Sequence, residues 1–480
     1  MKLSALLLKS KIGGAVAGDP DISGLSYDSR LVKRGHLFFA IKGLHSDGHD
    51  FLDQAATQGA VAAIVERNVA GKLPVLKQPS VVAAMAKISN AFFDEPSRRV
   101  PVIGITGTNG KTTTTYIIEA VLRSIGKTCG VIGTVNYRLG ADTRPAPNTT
   151  PMSLDLQSFL AEAAKKGAAA VAMEVSSHAL EQNRVDDVRF HTAVFTNLTQ
   201  DHLDYHGTME SYFQAKRKLF FRSDPVKAVV NLDDPYGERL AVERKDALTF
   251  GANPKAQLRA GAIKSDLNGV RFHLTFPSGK EGDVSNNLLG MHNVSNCLTA
   301  AGALFAFGLS EKDILAGLNQ KLAVPGRLER VEAGQKFVVA VDYAHTHDAL
   351  AQVLTTLRNT GPKKLICVFG AGGDRDKTKR PKMGDVAVRL ADMVFVTSDN
   401  PRTEEPKLIL NDIEAGIRNT GKTNYKIVED RATAIGEALA SAGPGDAVLI
   451  AGKGHETYQI IGTKKFDFSD LDVARKILTK

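Results

Sequence analysis

The segment Gly104-Ile105-Thr106-Gly107-Thr108-Asn109-Gly110-Lys111-Thr112-Thr113 brings glycines, a lysine and hydroxyls together within ten residues. An apolar run, Val100 to Ile105, precedes it, and a helical pattern with Ile117, Ile118, Val121, Leu122 and Ile125 on one face follows. A strand, a glycine-rich turn and a helix N-terminus form an anion cradle. The glycines let backbone N–H groups approach phosphate oxygens, and the helix end adds positive potential. Lys111 is placed to reach the β- and γ-phosphates and Thr112 to hold Mg²⁺, so the loop predicts ATP binding. It is a variant loop, because Ile105 stands where the usual spacing has its first glycine and the glycines fall at 104, 107 and 110.

Two further groups belong beside such a loop. Glu174 closes the apolar run that starts at Ala169, so it is expected at the carboxyl end of a strand, where a carboxylate can hold Mg²⁺. His202 lies in the segment Asn197 to Gly207, after the strand candidate Thr192 to Phe195, and is offered to the same crevice. A nucleotide site alone fits a kinase, an ATPase, a switch or a ligase.

The elements that must position these residues read as α/β. A chain of 480 residues corresponds to about three domains at roughly 150 residues each. With 43% hydrophobic and 24% charged residues it is an ordinary globular sequence, neither disordered nor fibrous. Three widely spaced cysteines deny a disulfide framework or a CxxC metal site and suit a reducing cytoplasm. The net charge of +9 suits an anionic partner. No zinc-finger, helix-turn-helix or aromatic stacking pattern supports nucleic acid, and no run approaches the roughly 20 apolar residues of a membrane span. Lys9 and Lys11 interrupt the N-terminal apolar run, so it reads as a first helix rather than a signal peptide.

Residues 1–97 form a small α/β module, with strand candidates Leu37 to Ile41 and Val61 to Val65 around a helix at Asp50 to Gln58. Residues 98–324 alternate buried strands with helices, as a mostly parallel sheet does, and loosen after 255 into antiparallel candidates such as Val270 to Phe276. Pro325-Gly326 opens a third, Rossmann-like domain, residues 325–480. Its strand candidates are Phe337 to Val341, Leu365 to Phe369, Met393 to Val396 and Ala447 to Ile450.

The combination Gly107-Thr108-Asn109-Gly110-Lys111-Thr112-Thr113 resembles the phosphate loop of the Mur ligases, the ATP-dependent amide-forming enzymes of bacterial cell-wall precursor synthesis, and further matches run through the chain. The resemblance implies a UDP-binding N-terminal domain, a central P-loop ATPase domain and a C-terminal Rossmann-like domain. It also implies ATP as substrate with Mg²⁺, and we expect a cytoplasmic monomer. It makes Lys111, Glu174 and His202 catalytic, with Thr112, Glu174 and His202 toward metal. Tyr212-Phe213-Gln214-Ala215-Lys216 matches the segment whose lysine is carbamylated, which turns Lys216 into an oxygen ligand for a second Mg²⁺. Taken by themselves, Lys216, Arg217 and Lys218 read as a solvated basic helix face. Asn293, Asn296, Arg327, Asp342 and His345 match residues around ATP, and His347 departs from the pattern, which usually has proline there.

For the substrates, Tyr27, Ser29, Leu44, His45 and Ser46 in the first domain match contacts to a UDP-sugar-peptide. In the second domain, Asn148, Thr149, Thr150, Ser176, Gln182 and Arg184 do the same, although Asx and glycine turns explain the first set equally well in isolation. Asp399-Asn400-Pro401-Arg402, with Arg375, Gly452 and Glu456, matches the surroundings of the incoming amino acid. meso-Diaminopimelate differs from lysine by a distal carboxylate, which an arginine fork grips in two places, while Glu456 suits its ammonium. The resemblance therefore implies addition of meso-diaminopimelate to the D-Glu carboxylate of UDP-MurNAc-L-Ala-D-Glu through an acyl phosphate. A lysine-adding member and a folylpolyglutamate-synthetase-like ligase are the alternatives.

Overall fold

The computed structural model describes residues 1–480 apart from Ala15, Ala17, Leu44, His45, Ala70 and Lys480. The chain forms two compact units, Met1–Arg259 with Leu298–Gly317, and Ala260–Cys297 with Leu318–Lys480.

The first unit opens with the helix Leu3–Lys9 and four parallel strands in chain order, β1 (Gly24–Ser26), β2 (His36–Phe39), β3 (Ala60–Val65) and β4 (Val75–Lys77). Both faces of this sheet are covered, which is why its central strands read as unbroken apolar runs. Leu37, Phe39 and Ile64 meet Leu3, Leu6, Met85 and Ile88 on one side, while Phe38, Ala63 and Val65 meet Leu52 and Ala55 on the other. The helix expected at Asp50 to Gln58 is split into a 3₁₀ turn, Gly48–Phe51, and a helix, Leu52–Thr57, with the Asp47 carboxylate capping the turn.

The unit continues through β5 (Val102–Thr106), β6 (Cys129–Ile132), β7 (Asn136–Leu139), β8 (Asp142–Pro145), β9 (Ala170–Glu174), β10 (Phe190–Phe195), β11 (Lys227–Asn231), β12 (Leu248–Gly251) and the start of β13 (Leu258–Asp266). They lie in the order β13-β12-β11-β10-β5-β9-β6-β7-β8, parallel except for the β6-β7-β8 meander. From β5 the chain winds to one side, and after β9 it crosses to β10 on the other. The carboxyl end of β5 therefore lies at the reversal, where open α/β sheets bind ligands. The sequence reading missed β6 to β8, since four-residue strands are too short for periodicity to mark.

The second unit holds the antiparallel hairpin β14 (Gly269–Thr275) and β15 (Glu281–Asn286), as the alternating pattern predicts. Its main sheet comprises β16 (Glu329–Arg330), β17 (Val338–Asp342), β18 (Leu365–Phe369), β19 (Met393–Val396), β20 (Tyr425–Ile427) and β21 (Ala447–Ala451). The order is β16-β17-β21-β18-β19-β20, with only β16 antiparallel among these strands. All four expected strands are present, and helices cover both faces through Leu354, Met383 and Ile413 on one side and Ile435 and Leu439 on the other. A short hairpin follows, β22 (Tyr458–Ile461) and β23 (Lys464–Asp467). Cys129, Cys297 and Cys367 are free and buried, and burial pushes each thiol up to about 12.

Candidate active site

The phosphate loop leaves β5 at Thr106 and enters the helix Lys111–Ser124. Gly107 has φ +147° and Gly110 +85°, and a Cβ on Gly107 would sit 1.8 Å from Thr196 Oγ1. Gly104 has a different job: it lies within the strand, where a Cβ would meet the Phe190 ring at 2.6 Å. The loop is pinned to the segment after β10, a set of contacts absent from the sequence reading. Thr108 N–H donates to Asn197 O at 2.9 Å, Asn109 N–H to Asn197 Oδ1 at 2.9 Å, and Thr196 Oγ1 to Asn109 O at 2.7 Å. Lys111 Nζ folds back onto the Gly107 and Thr108 carbonyls at 2.8 and 2.7 Å.

Glu174 is 0% exposed at the end of β9, the position expected for it. Burying a carboxylate costs several kcal/mol unless its oxygens are hydrogen-bonded. Here Thr112 Oγ1 donates to Oε1 at 2.8 Å, Thr134 N–H to the same oxygen at 2.9 Å, and Thr134 Oγ1 to Oε2 at 3.1 Å. Gly133 passes so close that a Cβ would lie 2.3 Å from Oε1. Gly133 and Thr134 were missed by the sequence reading. Their signal was a Gly-Thr pair following a short apolar run, as Gly107-Thr108 follows Thr106.

Lys216 contradicts the solvated-face reading. It is 1% exposed, on the face of the helix Met209–Arg217 that also buries Tyr212, whose ring lies 4.4 Å beneath Nζ. Nζ donates to Gly107 O at 2.9 Å, so both lysines meet the same carbonyl. Burial, and then the neighbouring Lys111 charge, hold the amine well below the usual lysine range. Arg217 and Lys218 do face outward, paired with Glu243 and Glu181. His202 adopts φ +52° and is half-exposed, 5.0 Å from His178 in an edge-to-face contact and 3.6 Å from Asp201 Oδ2. The structure thus joins Thr112 to Glu174, and His202 to His178 and Asp201. No cluster of three His, Cys, Asp or Glu side chains fit for a metal occurs among the described residues.

Farther along the same unit, Thr150 Oγ1 donates to Glu174 O at 2.8 Å and accepts from Ser176 N–H at 3.1 Å. Arg184 Nη1 donates to Thr150 O at 3.0 Å and Nη2 to Gln182 Oε1, while its buried Nε has no partner among the described residues. No carboxylate pairs with this guanidinium among the described residues, and burial lowers its pKa. Thr149 Oγ1 lies 3.1 Å from Thr134 Oγ1, and the Asn148 carbonyl accepts from Tyr137. Tyr27 donates to Asp155 at 2.5 Å, and Ser29 to Gln54 Oε1 at 2.9 Å. The Ser46 carbonyl accepts from Gly43 N–H at 2.8 Å, and Leu44 and His45 fall outside the described residues.

In the second unit the singled-out residues gather at the carboxyl ends of β17, β18, β19 and β21. Asp342 is buried, its oxygens accepting from Leu328 and Ala344 N–H at 2.8 and 2.9 Å, and burial raises its pKa. Arg327 and His345 are exposed, with His345 Nδ1 2.9 Å from Tyr343 O. Asn293 and Asn296 bond to each other at 2.9 Å at the start of the helix His292–Phe307. His347 is the first residue of the helix His347–Arg358, which Thr346 caps. That is the helix position where proline is favoured but not required, so the turn survives the departure.

The acceptor loops form one network. Asn400 Nδ2 donates to Glu456 Oε2 at 2.9 Å, and the wholly buried Lys453 reaches Asn400 Oδ1 at 3.1 Å, Glu456 at 3.3 Å and Asp399 at 3.5 Å. Lys453, between the singled-out Gly452 and Glu456, was missed by the sequence reading. A Cβ on Gly452 would crowd Asp399 Oδ2 at 2.8 Å. Arg402, at φ +52°, follows the buried Pro401 and extends Nη1 to Gly373 O at 2.7 Å. Its loop is tied to the one carrying Arg375 by Thr403 on Asp374 and by the buried Arg380, which bonds Glu404 and Gly372 O. Neither Arg402 nor Arg375 has a carboxylate partner among the described residues.

Residues 21–103, 105–304 and 326–454 match, in turn, the family models described as Mur ligase family, catalytic domain; Mur ligase middle domain; and Mur ligase, glutamate ligase domain. A protein of Geobacillus thermodenitrificans (strain NG80-2), named UDP-N-acetylmuramoyl-L-alanyl-D-glutamate--2,6-diaminopimelate ligase, is 47% identical over 486 residues, covering 99% of each chain. The chain belongs to the Mur ligase family. A solved Mur ligase structure bearing the same ligase name superposes with a TM-score of 0.74 at 33% identity, covering 100% of this chain and 99% of the other. The MurF ligase of Thermotoga maritima in complex with ADP shares the fold, at 21% identity and a TM-score of 0.63 over 90% of this chain and 94% of that one. The three-domain Mur ligase architecture expected from the sequence is therefore present.

Proposed function

We propose that this Mur ligase uses ATP to join meso-diaminopimelate to the D-Glu carboxylate of UDP-MurNAc-L-Ala-D-Glu, in the cytoplasm. The observation that carries the choice of amino acid is the Arg402 guanidinium, which has a carbonyl contact but no carboxylate among the described residues, on the loop whose Asn400 holds Glu456. A fork without a carboxylate partner among the described residues is complementary to the distal carboxylate of diaminopimelate, with Glu456, already meeting Lys453, close to the same loop, and lysine would leave the fork unpaired. The relatives' shared name, across nearly the full length, supports the same choice. Domain limits near 97 and 324 belong to this reading.

A substrate carboxylate oxygen attacks the γ-phosphorus and ADP leaves, giving an acyl phosphate. The amine of diaminopimelate then adds to the acyl carbon, loses a proton, and phosphate departs as the amide forms. Lys111 would leave its carbonyls for the phosphoryl oxygens, and the N–H groups after β5 would hold them, so the protein's part is placement and charge stabilisation. Arg184 would take a substrate anion and Arg327, Asp342, Asn293 and Asn296 would surround the nucleotide. Thr112 and Glu174 fit Mg²⁺, since they place a hydroxyl and a buried carboxylate within 2.8 Å of each other. The bound ion would neutralise phosphate charge, with His202 and a carbamylated Lys216 as further ligands. Burial favours the neutral amine, the form whose nitrogen adds to CO₂ with release of a proton.

The test is phosphate release from ATP with Mg²⁺ and UDP-MurNAc-L-Ala-D-Glu, with diaminopimelate, L-lysine or no amino acid, and mass identification of the product. A UDP-tripeptide formed only with diaminopimelate is expected. Turnover with lysine instead would overturn the role given to Arg402.

A further inference from the structure

The carboxyl ends of the first unit's strands carry the chemistry proposed above, yet a well-formed cavity of that unit lies at their amino ends. It encloses about 740 Å³, a volume typical of small-molecule sites, and is lined by the residues that open β10, β11 and β12, the turn before β5 and the helix residues Phe305 and Ala306. Strands of five or six residues put it about 15–20 Å from the phosphate loop. The floor is apolar: Phe190 is buried edge-on against Gly104, and Val226 and Leu248 flank it.

The rim is basic. Arg189 is exposed, and its guanidinium makes no hydrogen bond or ion pair among the described residues; its backbone N–H is anchored on Ser97 Oγ at 3.0 Å. Lys227 spends one of its three donors on Ala306 O at 2.8 Å, which fixes the ammonium at the cavity wall. His191 stands between them, its Nδ1 on Thr192 Oγ1 at 2.9 Å and its ring 5.5 Å from Phe307. The remaining charges are closed off: Arg98 pairs with Glu95, and the one acid, Asp246, is held at 2.7 Å by Arg244. The net field at the mouth is therefore that of Arg189 and Lys227 over an aromatic and aliphatic floor.

We propose that this cavity is a second binding site, for a small organic anion with a flat apolar body, separate from the ligase centre. The apolar floor takes the body by burial, and the Arg189 fork with Lys227 takes the carboxylate, sulfonate or phosphate. Because Phe190 packs on Gly104, an occupant resting on Phe190 would be one side chain away from the strand that carries the phosphate loop.

The probe is 8-anilinonaphthalene-1-sulfonate, an aromatic anion whose fluorescence rises on burial, titrated against the full chain with and without saturating ATP and Mg²⁺. The expected result is a saturable signal that ATP leaves in place and that Arg189→Glu weakens at least tenfold. The uncharged N-phenyl-1-naphthylamine is expected to bind at least tenfold more weakly than the sulfonate, and Ala306→Trp to abolish binding by filling the cavity. Arg189→Glu alters an exposed side chain without hydrogen bonds, so it tests the site even if the tryptophan variant fails to fold. Displacement of the probe by ATP, or an unchanged dissociation constant in Arg189→Glu, overturns the proposal.

Discussion

The phosphate-loop region of the first unit and the acceptor loops of the second handle charge in opposite ways. Around β5 the charges turn inward: Lys111 and Lys216 both rest on Gly107 O, and three donors from two threonines surround the buried Glu174. Around β18 and β19 the networks of Lys453 and Arg380 are closed in the same way, but they serve as a frame from which Arg402 and Arg375 project without an acidic partner among the described residues. In the proposed function the first site would exchange protein contacts for ligand contacts while the second would only be filled, so that the first would contribute chiefly to rate and the open fork chiefly to selection.

The sharpest way to break this contrast is Lys111→Ala. Loss of a donor aimed at developing phosphoryl charge costs on the order of 10³ in kcat, and stopped phosphate-release assays should show that loss with little change in substrate KM. Lys216→Met should cost roughly 10²-fold in rate, by the same kind of charge argument. It also tests stability. The folded-state pKa of Lys216 lies below its unfolded value, so between the two the unfolded chain binds more protons and stability rises with pH. Urea melts in CO₂-free buffer should show the wild type gaining on Lys216→Met between pH 7 and pH 9.5; a constant difference would mean that the amine stays charged in the fold.

On the open side, Arg402→Gly should raise the KM for diaminopimelate about 10- to 100-fold, as expected from losing charged hydrogen bonds, and should narrow the preference over lysine. Arg402 sits at φ +52°, a conformation costing a non-glycine residue about 1–2 kcal/mol, so the same change should leave stability unaltered or slightly raised. A variant that lost specificity and stability together would make Arg402 part of the frame instead. Thr134→Val removes one hydroxyl from Glu174 while keeping the backbone donor, a loss of about 1 kcal/mol, and should slow turnover several-fold and raise the Mg²⁺ requirement in a titration. Smallest of all, His347→Pro at the first helical position should change stability by less than about 1 kcal/mol, in the favourable direction, by calorimetry.

What could be read from the sequence follows the same division. The phosphate loop is a single continuous stretch between an apolar run and a periodic helix, so its residues and their placement were legible together. So were Glu174, which ends a strand, and the loop of Arg402, which follows one. Thr134 was legible only as part of a Gly-Thr turn, because its role depends on β6 pairing beside β9, which the turn itself does not reveal. Lys216 failed for a related reason: three consecutive basic residues look solvated until helix geometry sets Lys216 on the same face as Tyr212, four residues earlier. The Asn197 contacts to the loop, and the cavity at the opposite edge, arise from strand order alone.

The three cysteines offer a different use. Each thiol is buried with its pKa pushed up to about 12, in β6, in the helix His292–Phe307 and in β18, so at neutral pH almost no thiolate is available to an alkylating reagent. Any reaction must wait for local opening. Cys129 lies in one unit and Cys367 in the other, so their separate modification rates, read by peptide mass, serve as native clocks for the breathing of two sheets. The same silence leaves the described surface clear for a single introduced cysteine to carry a label without background.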